Sequence, residues 1–351
     1  MAYSTIPKGS LFMNTLLYTG NGATSNPLTG LGFQPDFNWT KYRNASAFHS
    51  LSDVVRGVNS QIYSNDTSAQ AAGTNSVQSF NSDGLTVGSD SNYNGNGGTY
   101  VSWNWKAGTG QGSPNTDGSI NTTYTSVNTT AGFSISLYTG TGSNATIGHG
   151  LGAVPSMVMT KRLSAGDDWI VWNKDLTNPA SYLYLNGTND EMGSVPAYQN
   201  ITPTSTLLYP GTDGRTNNSG QTYITYCFAD VKGYSKMASY VGNGNANGTF
   251  IYTGFKPAFF MAKRKSASGD PWVLIDNKRN TFNALSNTLT PNDTNAANTG
   301  TDRADFLSNG IKIRTTSDAW NGSGSSYIYM AFASNPFVAT SGSDAIPVTA
   351  R

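Results

Sequence analysis

One stretch of this chain occurs three times, and any fold must seat all three copies. GLGFQPDFNWTKYR at 30–43 is echoed by GLGAVPSMVMTKRL at 150–163 and by YTGFKPAFFMAKRK at 252–265. Each copy carries Gly-x-x-Pro (Gly32–Pro35, Gly152–Pro155, Gly254–Pro257) and a lysine six residues after the proline: Lys41, Lys161 and Lys263. Tyr18, Tyr138 and Tyr240 stand 17 residues before the same prolines, within LYTGNG, LYTGTG and SYVGNG. Downstream by 14 or 15 residues come His49, Trp169 and Trp272, and four residues further Asp53, Asn173 and Asp276. The last anchor is a turn and strand: NGNGGTYVSWNW from Asn94, NNSGQTYITYCF from Asn217 and NGSGSSYIYMAF from Asn321. Tyr100, Tyr223 and Tyr327 hold one place in it, each with an aromatic five residues on (Trp105, Phe228, Phe332). Four anchors in one order at near-constant spacing imply internal triplication.

The expected organisation is therefore an N-terminal arm at 1–10, units at 11–107, 131–232 and 233–338, and a C-terminal arm at 339–351. The arms are candidates for docking on a neighbouring subunit. Residues 108–130 are rich in Gly, Ser and Thr and read as a linker, with one edge strand expected around Ile120–Tyr124. Within a unit the signals are β. FSISLYTG, TYVSWNW and YIYMAF alternate with period two, and turn residues recur every 8–12 positions. Only a short stretch around Ser50–Val58 is compatible with a helix. The predicted fold is all-β: three tandem β-sandwich, jelly-roll-like repeats of about 100 residues.

Composition agrees. Only 12% of the 351 residues are charged, the net charge is +1, and a single Glu, Glu191, stands among 20 acidic residues. Aspartate prefers turns and caps where glutamate favours helix. The charge balance gives no ground for nucleic-acid binding, and no apolar run approaches a membrane span. The opening residues have no basic start leading into a long apolar run, so no secretory signal is expected. Cys227 is the sole cysteine, which rules out an intrachain disulfide and reads as a small buried side chain.

Catalytic signals are weak. Asp53 and Asp276 share a repeat position that is Asn173 in the remaining copy, so an obligatory catalytic carboxylate is not expected there. Arg56 and Arg279, each three residues on, predict local ion pairs instead. His49 stands where the other copies have tryptophan and His149 lies in a turn, so the two histidines share no site. DSNYNG at 90–95 begins like a calcium loop but has Val101 where a bidentate glutamate is needed. GTGSNATIGHGLG lacks the Gly-Lys-Ser/Thr ending of a phosphate loop. No catalytic residue, metal ligand or cofactor is assigned. Candidate interface or ligand contacts are three basic strand ends, Lys41 with Arg43, Lys161 with Arg162 and Lys263 with Arg264, and loop aromatics such as Tyr93 and Tyr198. Asn-x-Ser/Thr triplets such as those at Asn38 and Asn144 are read as chance in so Asn-rich a chain.

The segments GFQPDFNWTKYR, SDVVRG, SFNSDGLTVGSD and NGNGGTYVSWNWKAG resemble a repeat of virion proteins from marine tailed bacteriophages, with the pattern GFQPDFVWIKNR, DSVRG, FDSDGFTLGS and TYVAWCWKAG. GYSKMASYVGNG, IYTGFKPAFFMAKR and the ending AFASNPFVATSGSDAIPVTAR are similar too, so the resemblance spans nearly the whole chain. Such proteins are described as tail fibres or structural proteins, and the family carries no catalytic residue to transfer. The resemblance implies a virion-surface protein assembled in the host cytoplasm, acting by multivalent non-catalytic binding. Expected partners are other virion proteins, further copies of the chain (a trimer being favoured) and a host-surface glycan. A capsid decoration or knob protein is the alternative, and a host-polysaccharide depolymerase the third reading. The chain departs from the pattern at His49–Ser52, and it lacks a coiled or collagen-like stalk.

Overall fold

The structure, a computed structural model, describes residues 4–193 and 196–336. The alternating stretches are strands lying side by side. Thr99–Trp105 is flanked by Met13–Thr19 and Phe37–Tyr42, and the sheet continues through His49–Asp53, Ser60–Tyr63 and Ala71–Ala72. Thr222–Phe228 is likewise flanked by Phe133–Thr139 and Met157–Arg162, with Ile170–Asn173 and Leu183–Tyr184 beyond. Ser326–Pro336 lies between Ser235–Val241 and Phe255–Arg264, with Val273–Asp276 beyond. The registers correspond: Trp103 faces Thr15 and Trp39, Tyr226 faces Ile135 and Met159, and Met330 faces Met237 and Met261. Among the described residues the protein is all-β, in several separate sheets with no closed barrel. Its helices are single turns: Gly9–Leu11, Ser91–Asn94, Gly214–Asn217 and Asp318–Asn321.

Each large sheet is covered on both faces. Three small sheets lie outside. They are Asn26–Thr29 with Gly84–Val87 and Val77–Asn81, then Ile147–Gly148 with Leu207–Leu208, then Phe250–Tyr252 with Gly310–Ile313 and Ala304–Leu307. On the inside, the three large sheets meet in one apolar cluster. Phe37, Trp103 and Trp105 of the first sheet pack with Phe133, Tyr226 and Phe228 of the second and Phe259, Met330 and Phe332 of the third. The Trp105 ring centroid lies 6.5 Å from that of Phe228, 5.5 Å from Phe259 and 5.7 Å from Phe332, so one side chain touches all three sheets. Burying a large apolar side chain contributes on the order of 1.5–3 kcal/mol, which makes this shared face the main source of cohesion. The period-two pattern therefore separates two buried faces rather than a buried and a wet one. Phe37 and Trp39 turn inward, while Asn38, Thr40, Ser102 and Asn104 bond to one another beneath the small sheet.

Two expectations at the edges of the units are corrected. Residues 4–10 do not form an arm for a neighbour: Ile6 is fully buried in the shared core, and the turn Gly9–Leu11 packs on Ser326–Pro336. An added Cβ on Gly9 would meet the Ala333 carbonyl oxygen at 2.0 Å, so the approach demands glycine. Residues 108–130 are not a free linker. The Asp36 carboxylate accepts the amides of Ala107, Thr109 and Gly110 at 2.7, 3.0 and 3.0 Å, holding the start of the segment down. Tyr124–Asn128 then forms the edge strand, a few residues later than expected, paired with Phe133–Thr139. The expected C-terminal arm, 339–351, lies outside the described residues.

The recurrent tyrosines and asparagines have a common job. Tyr100, Tyr223 and Tyr327 each accept an amide (Gly95, Asn218, Gly322) and donate to a carbonyl of the helical turn before their strand (Ser91, Gly214, Asp318). They stack on Tyr18, Tyr138 and Tyr240 with centroids 5.0, 5.2 and 4.7 Å apart. The buried side chains of Asn94, Asn217 and Asn321 bridge that turn to the Gly-rich turn after the first strand. Their carbonyls accept from Asn21, Thr141 and Asn243, and their amides donate to the carbonyls of Ala23, Ser143 and Asn245. This is why LYTGNG and NGNGGTY recur together. Asn217 also donates to the Gly211 carbonyl, at 2.8 Å. Asn217→Ala removes three hydrogen bonds at once, of which the one to Gly211 is fully buried, so urea unfolding should show a loss of about 1–3 kcal/mol. A loss below about 0.5 kcal/mol would show the bridge to be dispensable.

Candidate functional site

The three basic strand ends were the strongest sequence candidates, and their lysines are not at the surface. Lys41, Lys161 and Lys263 are fully buried. Each ammonium donates to the carbonyl of a threonine on another sheet's loop: Lys41 to Thr294 at 3.2 Å, Lys161 to Thr67 at 2.9 Å and Lys263 to Thr188 at 3.4 Å. Local carbonyls complete the cages, those of Tyr42, Asp167 and Arg264, at 2.8, 2.6 and 2.8 Å. The same threonine carbonyls also accept a main-chain amide from the lysine's own sheet region: Ala47 on Thr294, Asp167 on Thr67 and Gly269 on Thr188. The first sheet thus clamps the third, the second clamps the first, and the third clamps the second. The set closes on itself.

A second contact follows the same direction. The Trp169 indole donates to the Tyr63 carbonyl and the Trp272 indole to the Tyr184 carbonyl, both at 2.8 Å. The main-chain amides of His49, Trp169 and Trp272 donate to Asn65, Asn186 and Asn292 at 2.7, 2.8 and 2.8 Å. Asn65-Asp66-Thr67, Asn186-Gly187-Thr188 and Asn292-Asp293-Thr294 are therefore one recurrent receiving loop. The sequence reading missed it, although aligning the copies on Asn-x-Thr would have exposed it. At the first position the bulk is exchanged: the Trp39 ring packs beside His49, where Met159 and Met261 hold the place of Trp39 and Trp169 and Trp272 that of His49. The Trp39 indole donates to His49 Nδ1 at 3.0 Å. Burial, then the charges of Lys41 and Arg279, hold His49 well below the usual imidazole range, so it is a neutral packing group.

A third layer lies deeper. Arg56 Nε donates to Asp53 Oδ2 at 2.6 Å and Arg279 Nε to Asp276 Oδ2 at 2.5 Å, so the two local ion pairs form. Each carboxylate takes one more donor from another sheet: Tyr226 OH on Asp53 at 2.7 Å and the Trp103 indole on Asp276 at 3.0 Å. In the remaining position all three parts change together. Met330, which cannot donate, stands in register where Tyr226 and Trp103 stand, and Asn173 and Leu176 replace the Asp and Arg. A carboxylate deprived of both donors would be an uncompensated buried charge.

The arginines stay nearer the surface. Arg162 reaches Asp167 at 3.4 Å and Arg264 reaches Asp270 at 2.9 Å, while Arg43 is half-buried. The aromatic candidates are also corrected. Tyr93 is fully buried with its hydroxyl 2.8 Å from Ser52 Oγ, and Tyr198 is buried with its hydroxyl 3.0 Å from Thr160 Oγ1. Loop position did not imply exposure, because the outer sheets and loops fold over these rings. Asp90 caps the turn Ser91–Asn94 by accepting the Asn92 amide at 2.8 Å. His149 is buried against the Thr204 carbonyl at 3.2 Å, and burial lowers its pKa. Burial pushes the Cys227 thiol up to about 12. Among the described residues no three metal-ligating side chains come together, and no helix is long and apolar enough to cross a membrane.

A family model described as a domain of unknown function, DUF7483, matches residues 8–336, and the chain belongs to that family. No curated protein matches it.

The clamps lead to two expectations. Burial pushes Lys41, Lys161 and Lys263 down to about 8, with Asp293, Asp167 and Asp270 pulling the other way. The unfolded chain, with lysines near 10.5, then binds more protons between the two values, so stability rises with pH across that window and falls toward neutrality. Tyrosine and cysteine ionisation opposes this at the upper end, so the contrast between wild type and Lys161→Met isolates the lysine. Urea midpoints from pH 7 to 10 should climb less steeply for the variant, and parallel curves would contradict the assignment. Separately, Asn173→Asp should cost about 3 kcal/mol, and adding Leu176→Arg should restore most of it. If the double variant is no better than the single one, the Asp–Arg pair is not the unit.

Proposed function

We propose that this chain is a non-catalytic bacteriophage virion protein of the tail-fibre, host-recognition class, built from three tandem β-sandwich repeats closed into a ring. The observation that carries the reading is the closed set of lysine–threonine clamps. A block locked from every side loses little conformational freedom when its outward loops bind, which is what a weak, repeated contact requires. The buried carboxylates support a non-catalytic role, since Asp36, Asp53 and Asp276 are committed to backbone amides or arginines. The segment-by-segment resemblance to marine phage virion proteins supports the setting. A trimer of chains was favoured from sequence on grounds of avidity; the ring supplies three joined units within one chain, so valence at the particle comes from the number of copies attached.

A capsid decoration or knob is the second reading, favoured by the single core shared by all three large sheets, which makes a block rather than a shaft. Antibody labelling of particles separates the two: label at the tail supports the fibre class, and label over the capsid supports decoration. Purified chain at micromolar concentration should reduce adsorption of the phage to its host severalfold. Unchanged adsorption together with capsid labelling would overturn host recognition.

A further inference from the structure

The third sheet carries a basic groove that the clamps do not use. Two adjoining clefts of about 340 and 200 Å³ share Asn277 and Lys278. Lys256 lines the first and Lys8 the second, so three lysines border one channel, and neither lining contains an Asp or Glu. Their ammonium groups make no hydrogen bond or ion pair with the described residues, unlike Lys41, Lys161 and Lys263. Asp276, the neighbouring carboxylate in the chain, is turned inward and paired with Arg279. The first cleft is also lined by Phe282, 74% exposed, the most exposed of the large apolar side chains among the described residues. A chain with net charge +1 has here a local excess of positive charge beside a bare aromatic face.

We propose that this groove binds an acidic polysaccharide, with Phe282 stacking on the apolar face of a sugar ring and Lys8, Lys256 and Lys278 meeting its carboxylate or sulfate groups. The chemistry follows from the surface. An unpaired cation gains a charge-assisted hydrogen bond from an anionic ligand. An exposed aromatic offers a large contact area at low entropic cost. Three lysines along a channel match a polymer with a charge on successive residues better than a single small anion. This inference rests on the host-recognition reading for its biological sense, and its test is independent of that reading.

The test is affinity electrophoresis of the full chain in gels containing alginate, dextran sulfate or neutral dextran. Wild type should be retarded by the two acidic polymers, less so at higher salt, and not by dextran. Lys278→Ala and Phe282→Ala should each weaken retention on the order of tenfold, the scale of one charge-assisted bond or one stacking contact. Lys265→Ala, which removes the same charge beyond the far end of the Phe255–Arg264 strand from Lys256, should leave it unchanged, and circular dichroism checks that each variant folds. No retardation by either acidic polymer, equal retardation by dextran, or equal loss in Lys265→Ala and Lys278→Ala would overturn the site. If the site variants lose polymer binding while phage adsorption is indifferent to the purified chain, the groove stands and the host-recognition reading falls.

Discussion

Three threonine carbonyls hold this molecule together at the seams. Each of Thr67, Thr188 and Thr294 accepts a main-chain amide and a buried ammonium from another sheet. A buried ammonium without partners would be costly, so each lysine fixes the neighbouring loop where its oxygen can serve. The tryptophan indoles and the Asp–Arg pairs repeat the same directional logic at greater depth. Because the contacts run from first to third, third to second and second to first, no sheet is terminal. Each one's inner face is covered by the other two. That arrangement explains why strands with alternating sequence are buried on both faces. It also explains why Trp105 can touch aromatic rings from all three sheets.

Departures from the common pattern are as informative as the pattern. Where Met330 offers no donor, the opposing Asp and Arg are Asn173 and Leu176. Where tryptophan is absent at His49, Trp39 supplies the bulk beside it. The first exchange links positions more than 150 residues apart in sequence and the second links adjacent strands, and both keep volume and charge balanced. They identify these positions as packing and clamping elements, which leaves the groove around Lys278 and Phe282 as a surface with unspent polarity.

Much of the fold was legible in the chain. The period-two strands, the recurrence of Tyr18, Tyr100 and their counterparts, and the pairing of Asp53 with Arg56 all follow from local pattern. The direction in which the repeated lysines point was not. A lysine at a strand end reads as solvated unless the carbonyls of a distant loop are known to lie above it, and Thr294 is more than 250 residues from Lys41. Tyr93 and Tyr198 misled for a related reason: their segments are irregular, and only tertiary packing buries them. The Asn-x-Thr loops at 65–67, 186–188 and 292–294 were visible but went unremarked, because their role appears only when the neighbouring sheet's amide is in place. Residues 108–130 looked like a linker by composition, yet the backbone amides of such a segment still need acceptors, and Asp36 provides them. The groove at Lys278 could not be foreseen, since it gathers Lys8, Lys256 and Lys278 from separate segments.

The central claim is that the three large sheets form one mutually clamped body. Scanning calorimetry tests it most directly. One body predicts a single endotherm whose calorimetric and van't Hoff enthalpies agree within about 10–20%, shifted as a whole to lower temperature by Lys161→Met. Separate endotherms for wild type, or a variant in which only part of the heat absorption moves, would show that the sheets unfold independently and would contradict the account.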